Sequence, residues 1–451
     1  MLMTGNDQAM APSMLISFRA ENVRSFRDAF ELSLLATTMA RKDVPREVPW
    51  REDGKPIRVL PAAGVLGANA SGKSNLLRVM NDMREHVLSS FRSGDPAGGV
   101  PRRPFRLDSR TMLQPSRFEI NLILNGIRHE YGFVVDNERV IEEWAYRYPR
   151  GRAATLFHRD SEGVELGERN RATGRAVVQI LRPNALMLST AAAAGHPDLA
   201  PLYLWFAQNL QLAEAASRAS RWAYTTEMLR EGKHRDQVLE LLCAADLGIT
   251  DAHVRELDPL MIERFRRAVR IIQGREDESE GADADAYIFE PGVVLSHRGP
   301  AGNVDFDSAE ESLGTLVWLG LAGPVIDALA SGTVLLVDEI EASLHPVLVA
   351  RIVEMFQSPE SNPNGAQLIF NSHEASLLGD SVGDRMIGRD QVWFTEKNND
   401  GATRLYSLAD LDPRPDEAIG RRYLAGRYGA VPILAKESFT QIARDAAGAD
   451  E

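Results

Sequence analysis

A glycine-rich segment at residues 67–74 reads Gly-Ala-Asn-Ala-Ser-Gly-Lys-Ser and matches the phosphate-binding P-loop pattern in full. Its glycines let backbone N–H groups close around phosphate oxygens, and a following helix adds its N-terminal dipole. Lys73 is expected to reach the β- and γ-phosphates of a nucleotide, and Ser74 to bind Mg²⁺. An apolar run before the loop and helical spacing after it favour this site over an ordinary glycine turn. The predicted nucleotide-binding residues here are Gly67, Asn69, Ala70, Ser71, Gly72, Lys73, Ser74 and Asn75.

A second group of candidate residues follows the apolar run Thr333–Val337, which ends in two acids. Asp338 suits the Walker B role of holding Mg²⁺ through water. Glu339 is placed to act as the general base on the attacking water. Strands often end in solvated carboxylates, so the pair alone is a weak signal. Together with the P-loop it predicts a nucleoside triphosphatase.

A third candidate is the tetrapeptide Ser312-Leu313-Gly314-Thr315, shortly before the acidic pair. A serine and a glycine that open a helix can present a hydroxyl and an N–H to phosphate. The alternative is a simple helix N-cap. More than half of the chain separates the P-loop from Asp338, and the tetrapeptide lies shortly before this second block. This position favours a phosphate contact over a simple N-cap.

The elements that must position these residues can be predicted from periodicity. Leu76, Met80, Met83 and Val87 have helical spacing, so the P-loop lies between a strand and a helix. Two alternating runs flank Asn125-Gly126, which predicts a β-hairpin in an antiparallel region. The runs TVLLV and QLIF are continuous and apolar, as in parallel strands buried on both faces. The predicted divisions are a disordered leader (1–13), an N-terminal half with P-loop and β subdomain (14–190), a helical insertion with an acidic loop (191–286) and a C-terminal half (287–451).

The composition sets limits on the class of protein. The 451 residues carry a formal charge of −13, which argues against a uniformly basic nucleic-acid-coating surface. Cys243 is the lone cysteine, which fits a reducing compartment. The N-terminus has no signal-peptide pattern, and the apolar stretch 315–330 is broken by Pro324 and Asp327, so no membrane span is predicted. A cytoplasmic protein is expected.

With these motifs in place, the chain resembles the ABC ATPase branch that includes the SMC and RecF proteins. Within that branch it is similar to abortive-infection ATPases of the AbiLi or RloA kind, nearly end to end. The resemblance rests on the segments LISFRAENVRSF, GANASGKSNLL, PSRFEINLILNG, IEEWAYRYPRGR, ESLGTL, LLVDEIEASLHP, NPNGAQLIFNSHEASLL, RDQVWFTEK and YLAGRYGAVP. It implies an α/β fold: an ABC-type P-loop ATPase head with an antiparallel β subdomain and an inserted helical domain.

The resemblance also implies roles for individual residues. Ser312 and Gly314 match the ABC signature, which contacts ATP bound to the opposite protomer, although Leu313 replaces the first glycine of transporter signatures. His373 matches the switch histidine that senses the γ-phosphate; no second histidine follows at zinc-site spacing. The D-loop at the dimer interface matches Glu341, Ser343 and Leu344. Gln114 is the nearest candidate for the Q-loop glutamine, which stays unassigned.

Two functions remain open at this level. One is a defence ATPase that binds ATP and Mg²⁺ as a homodimer or higher homo-oligomer and controls a separate nuclease-like effector from the same operon, with DNA or a phage protein as trigger and no membrane partner. The other is a RecF-like ATPase that clamps DNA. A fused nuclease of the OLD type would need a further domain after residue 397, where only about fifty residues remain.

Surface features add candidates for binding but no second catalytic centre. Basic clusters could contact a phosphate backbone or an acidic partner, or could simply form a solvated face. Two aspartates in the acidic segment are better explained by a solvated loop than by a nuclease metal pair. The basic clusters are Arg147, Arg150 and Arg152, and Arg264, Arg266, Arg267 and Arg270; the aspartates are Asp283 and Asp285.

Overall fold

The computed structural model describes residues 13–214, 218–232, 234–245, 247–255, 292–379, 385–432 and 436–446. The predicted leader, the cluster 264–270 and the acidic segment 276–285 therefore lie outside the described residues, apart from Ser13.

The described strands, in chain order, are β1 Met14–Glu21, β2 Phe30–Ser33, β3 Arg46–Val48, β4 Ile57–Val59, β5 Ala62–Gly67, β6 Ser116–Leu124, β7 Ile127–Val135, β8 Val140–Arg147, β9 Ala154–Arg159, β10 Val164–Leu166, β11 Leu210–Ala213, β12 Ile249–Val254, β13 Val293–Gly299, β14 Gly302–Asp307, β15 Val334–Val337, β16 Gln367–Ser372, β17 Val392–Lys397 and β18 Thr403–Ser407. The described α-helices are α1 Lys73–Ser89, α2 Ser109–Leu113, α3 Arg171–Ile180, α4 Met187–Ala193, α5 Ala200–Asn209, α6 Arg218–Glu231, α7 Arg235–Cys243, α8 Leu313–Ser331, α9 Pro346–Gln357, α10 Ile419–Leu424 and α11 Lys436–Ala446.

The core sheet has the strand order β11-β15-β16-β5-β17-β18. All neighbouring pairs are parallel except β17–β18. β15 and β16 are buried along their whole length, which confirms the predicted two-faced burial of these apolar runs. Because the strands are parallel, the carboxyl ends of β5, β15 and β16 lie at one edge, and the loops that follow them meet there.

A second, antiparallel sheet has the order β10-β9-β8-β7-β6-β1-β2. The predicted hairpin is present: Leu124 pairs with Ile127, and Asn125 and Gly126 have φ values of 53° and 72°. Positive φ at both central residues is what a type I′ turn requires. Helix α1 packs its apolar stripe into the core beside this sheet, with Leu76, Met80, Met83 and Val87 buried as predicted.

The middle of the chain contains more strand than the helical prediction for 191–286. Its described part has α5, α6 and α7, but β11 pairs in parallel with β15 and so belongs to the core sheet. β12 lies in a third sheet of order β12-β13-β14. The division of the chain into domains stays a prediction.

Helix α8 is long and apolar enough, by length and composition, to cross a membrane. In this structure 67% of its apolar window is buried inside the protein, as in a core helix. Its Asp327 accepts hydrogen bonds from Gln211 at 3.1 Å and Tyr224 at 2.7 Å.

Candidate functional site

The P-loop connects β5 to α1 through backbone conformations that few residues adopt. Ala70 has φ 61° and Gly72 has φ 110°. A Cβ on Gly72 would lie 2.3 Å from Oγ1 of Thr403, so only glycine fits beside that hydroxyl. Thr403 in turn donates a hydrogen bond of 2.8 Å to the carbonyl of Ser71 and lies 2.9 Å from Oγ of Ser25. The loop is thus held from β18 and from the segment after β1.

Lys73 is almost completely buried, at 5% exposure. Its Nζ donates to the carbonyls of Gly67 at 2.8 Å and Ala68 at 3.0 Å and lies 3.1 Å from Nδ1 of His373. Burial lowers the pKa of Lys73 to about 8, and three nearby carboxylates, those of Glu341, Glu339 and Asp338, oppose that shift. Lys73 is therefore a desolvated amino group. Its partners, two backbone carbonyls and an imidazole ring, bind an ammonium group less strongly than a phosphate would.

The acidic pair follows β15 at the same edge of the sheet. Asp338 is 4% exposed, and its Oδ1 accepts a 2.6 Å hydrogen bond from Nδ2 of Asn371 on β16. Oδ1 of Asn371 accepts a 2.6 Å hydrogen bond from the backbone N–H of Glu339, which has a positive φ of 51°. One buried amide thus fixes both the Asp338 carboxylate and the backbone of Glu339, whose own side chain is exposed.

His373 follows β16 and lies beside the P-loop. Its backbone N–H donates a 2.6 Å hydrogen bond to Oε1 of Glu341, one of the predicted D-loop residues. Glu341 also lies close enough to Lys73 to act on its charge. The structure therefore brings Lys73, Asp338, Glu339, Glu341 and His373 into one cluster.

A cavity of about 750 Å³ opens at this cluster. It is large enough for a bound nucleotide. Its lining comprises Asn69, Ala70, Ser71, Gly72, Lys73, Ser74, Asn75, Arg78, Glu339, His373 and Lys397. Most of the residues predicted from the P-loop pattern line it, with two cations, Arg78 and Lys397, that the pattern did not include.

The oxygen-rich side chains at this edge fit a magnesium ion. Mg²⁺ prefers oxygen ligands and is usually held by one or two protein groups together with substrate phosphates. Ser74 lines the cavity, and Asp338 lies next to it, 3.9 Å from the lining residue Arg78, with its Oδ1 held by Asn371. Within the described residues no group of three His, Cys, Asp or Glu side chains is close enough to hold a metal by itself, so phosphate oxygens would complete the coordination.

The predicted signature residues lie elsewhere on the chain's own surface. Ser312 is the N-cap of α8: its Oγ accepts a 3.2 Å hydrogen bond from the N–H of Thr315, and the side chain is exposed. A Cβ on Gly314 would lie 2.9 Å from the carbonyl of Ser343, so signature and D-loop touch within one chain. Neither Ser312 nor Gly314 lines the P-loop cavity.

Other predicted residues fall outside the cavity as well. Gln114 is exposed at the end of α2, and its carbonyl accepts hydrogen bonds from Asn22 and Arg102. Arg147 and Arg150 lie at and after the end of β8, where Arg150 pairs with Glu52 at 3.6 Å. Neither group contributes to the nucleotide site described here.

Several residues of the site carry no recognisable sequence signal. Asn371 reads as an ordinary strand residue, and Ser25, Thr395 and Thr403 are common hydroxyl residues far from the P-loop in the chain. Ser71 Oγ nevertheless lies 2.7 Å from Thr395 Oγ1, and Asn75 donates a 2.9 Å hydrogen bond to Ser25. Only the pairing of β17 with β5, which places Thr395 opposite Gly67, could have indicated the first contact.

A mainly parallel α/β core with a P-loop, two acidic residues after the strand β15 and a histidine after the strand β16 defines a P-loop nucleotide-binding domain. The chain belongs to the family described as "AAA domain, putative AbiEii toxin, Type IV TA system", whose profile matches residues 62–379, more than half of its length. This match confirms the α/β P-loop fold and the resemblance to abortive-infection proteins that the sequence predicted. None of the curated proteins matches the chain in sequence.

Among solved structures, the chain is similar to an SMC head bound to the C-winged helix domain of ScpA, with 13% identity, a TM-score of 0.42, and coverage of 88% of this chain and 99% of that one. It is also similar to the SMC head domain from Thermotoga maritima, with 12% identity, a TM-score of 0.36 and coverage of 87% and 98%. A third similar structure is the recombination mediator RecF with ATP, with 12% identity, a TM-score of 0.33 and coverage of 89% and 100%.

Proposed function

We propose that the chain binds ATP with Mg²⁺ in the P-loop cavity and hydrolyses it to ADP and phosphate. The observation that carries the proposal is that Lys73, Glu339 and His373 line one cavity and that Asp338 lies close enough to act on the charge of Lys73. These side chains come from the ends of three neighbouring parallel strands, and they supply the phosphate cation, the metal ligand, the base and a γ-phosphate contact.

Each residue has a distinct task in this proposal. Lys73 leaves the carbonyls of Gly67 and Ala68 and pairs with the β- and γ-phosphates, because a charged acceptor binds an ammonium more strongly than a neutral carbonyl. Ser74 and Asp338 hold Mg²⁺, which neutralises charge on the phosphate oxygens. Glu339 accepts a proton from the attacking water, and His373 contacts the γ-phosphate from the opposite wall.

The active form is proposed to be a homodimer. Ser312 is exposed and Gly314 partly exposed at the start of α8, and neither lines the cavity of its own chain. A hydroxyl and a helix N-terminus in that position suit the phosphate of a nucleotide held by a second copy. ATP would then be enclosed between two copies, with each site completed by the other chain.

At the level of biology we propose a cytoplasmic defence ATPase that controls a separate effector, nuclease-like and encoded nearby, in response to phage. The family description, which names a putative toxin and a Type IV TA system, supports a role in such a pair. The chain's ATP state would switch the partner on or off.

The enzymatic proposal is tested by measuring ATP binding and phosphate release for the wild type, Lys73→Ala and Glu339→Gln. Lys73→Ala should lose binding or turnover, whereas Glu339→Gln should bind ATP and hydrolyse it at least tenfold more slowly. Equal turnover by wild type and Glu339→Gln would remove Glu339 from the mechanism.

The biological proposal is tested by phage challenge of cells that express the chain alone or with its neighbouring gene. Protection should require both genes. Protection or toxicity from the chain alone would contradict the partner scheme. ATP-dependent binding of duplex DNA that needs no neighbour would favour the RecF-like alternative.

A further inference from the structure

A partly exposed arginine lies beside the carboxylate proposed to hold the metal. Arg78 is on α1, four residues after Ser74, so both side chains project from the same face of the helix. Its guanidinium NH2 is 3.9 Å from Oδ2 of Asp338, which exceeds hydrogen-bond distance. Its Nε is instead hydrogen-bonded to Oε1 of Glu214. Arg78 is thus near Asp338 but engaged elsewhere.

The position of Glu214 follows from the core sheet. It is the first residue after β11, whose Ala213 pairs with Val337 of β15, and the N–H of Asp338 donates a 3.1 Å hydrogen bond to the carbonyl of Ala213. Glu214 and Asp338 therefore leave neighbouring parallel strands at the same edge. The guanidinium of Arg78 lies near both carboxylates, so Glu214 and Asp338 compete for it.

The consequence for metal binding follows from charge and geometry. Oδ1 of Asp338 is already used by Asn371, so Oδ2 is the oxygen left for a metal or its bound water. An arginine that closed the gap to Asp338 would pair with the carboxylate in two-pronged geometry and occupy that oxygen. Because the side chain of Asp338 is almost completely buried, this ion pair would compete strongly with Mg²⁺.

We propose that Glu214 holds Arg78 away from Asp338 and thereby keeps Oδ2 of that carboxylate open to Mg²⁺. Glu214 and Arg78 are positioning residues in this scheme, and the scheme rests on the proposed metal–nucleotide function of the site.

The test measures metal affinity without turnover. Mn²⁺, which uses the same oxygen ligands, is titrated into the full chain with a non-hydrolysable ATP analogue and followed by electron paramagnetic resonance. Glu214→Gln should weaken Mn²⁺ binding by about tenfold, because the released guanidinium then pairs with Asp338. Arg78→Gln should bind Mn²⁺ as tightly as the wild type or more tightly, and it remains informative if Glu214→Gln does not fold.

The double variant distinguishes an effect of Glu214 on the position of Arg78 from a direct attraction between the Glu214 charge and the metal. If Glu214 acts through Arg78, adding Glu214→Gln to Arg78→Gln should change Mn²⁺ affinity by less than about twofold. An equal tenfold loss in both backgrounds would show that Glu214 attracts the metal by itself and would overturn the proposal. Weaker metal binding by Arg78→Gln would also overturn it.

Two further measurements distinguish a failure of the proposed metal–nucleotide function from a failure of the inference about Arg78. Glu227→Gln, which removes an exposed pair with Arg230 at 2.7 Å on α6, is the matched control and should leave Mn²⁺ affinity unchanged. Absence of metal–nucleotide binding by the wild type would contradict the proposed function itself. Normal binding by the wild type with no effect of Glu214→Gln would contradict only the inference about Arg78.

Discussion

Nζ of Lys73 lies 3.1 Å from Nδ1 of His373, although 300 positions separate the two residues in the chain. The contact joins the P-loop after β5 to the end of the neighbouring strand β16, and Glu341 holds the His373 backbone from the adjacent loop. In the proposed mechanism both residues bind the γ-phosphate, so ATP binding would replace this direct contact.

Lys73 should make the stability of the nucleotide-free protein depend on pH. Burial lowers its pKa in the folded chain to about 8, below the ordinary value of 10.5. Between these values the unfolded chain binds more protons at Lys73 than the folded chain, so stability rises with pH across that window. Relative to Lys73→Met, the wild type should gain about 1–3 kcal/mol from pH 8 to pH 10.5 in urea unfolding. Lys397→Met, which removes an exposed lysine of the same cavity, is the control; a pH-independent difference between wild type and Lys73→Met would contradict the prediction.

Asn371→Asp should destabilise the fold and impair metal binding. The change replaces the amide that donates to Asp338 with a second buried carboxylate, and like charges at 2.6 Å repel strongly. We expect a loss of about 2–4 kcal/mol in the free energy of unfolding. Asn398→Asp is the matched control, because Oδ1 of Asn398 only accepts, from the N–H groups of Asp400 and Ala402, which a carboxylate does equally well. Equal stability of the two variants would refute the role given to Asn371.

Gly72→Ala should damage the P-loop more than an alanine at an unhindered glycine with positive φ. The new Cβ would meet the Thr403 hydroxyl at 2.3 Å, in addition to the strain of φ 110°. At Gly126, with φ 72°, nothing lies within 4 Å of a Cβ, so Gly126→Ala carries only the strain, about 1 kcal/mol. Gly72→Ala is expected to lose about 2–4 kcal/mol of stability and most nucleotide affinity. Comparable thermal denaturation and ATP binding for the two variants would argue against the tight fit at Thr403.

Mixing two inactive variants should test whether each site uses two chains. Ser312→Arg places a bulky cation where the signature would meet phosphate, and Lys73→Ala removes the phosphate cation. Each should lose at least tenfold in ATP turnover alone, and their mixture should recover activity through heterodimers with one intact site. Thermal unfolding of Ser312→Arg controls for loss of the α8 N-cap. Full activity of pure Ser312→Arg would exclude the composite site.

Short-range sequence patterns were sufficient to predict the P-loop and several strands of the fold. The spacing of Gly67, Gly72, Lys73 and Ser74 identified the phosphate loop, because the backbone geometry that binds phosphate is set within eight residues. The alternation around Asn125-Gly126 and the apolar run before Asp338 likewise gave the correct strands, since burial on one face or both leaves a periodic trace.

Tertiary structure alone decided how the remaining residues meet. β11 is four residues long and directly follows α5, so no periodicity marks it, and its place in the core sheet depends on pairing with β15. That pairing puts Glu214 beside Asp338, and the next pairing puts Asn371 there too. Such contacts are formed by residues more than thirty positions apart, whose proximity is set by strand order and not by their own propensities. The sequence determined which phosphate-binding groups the chain carries, and the packing of parallel strands at one edge decided which side chains hold them in position.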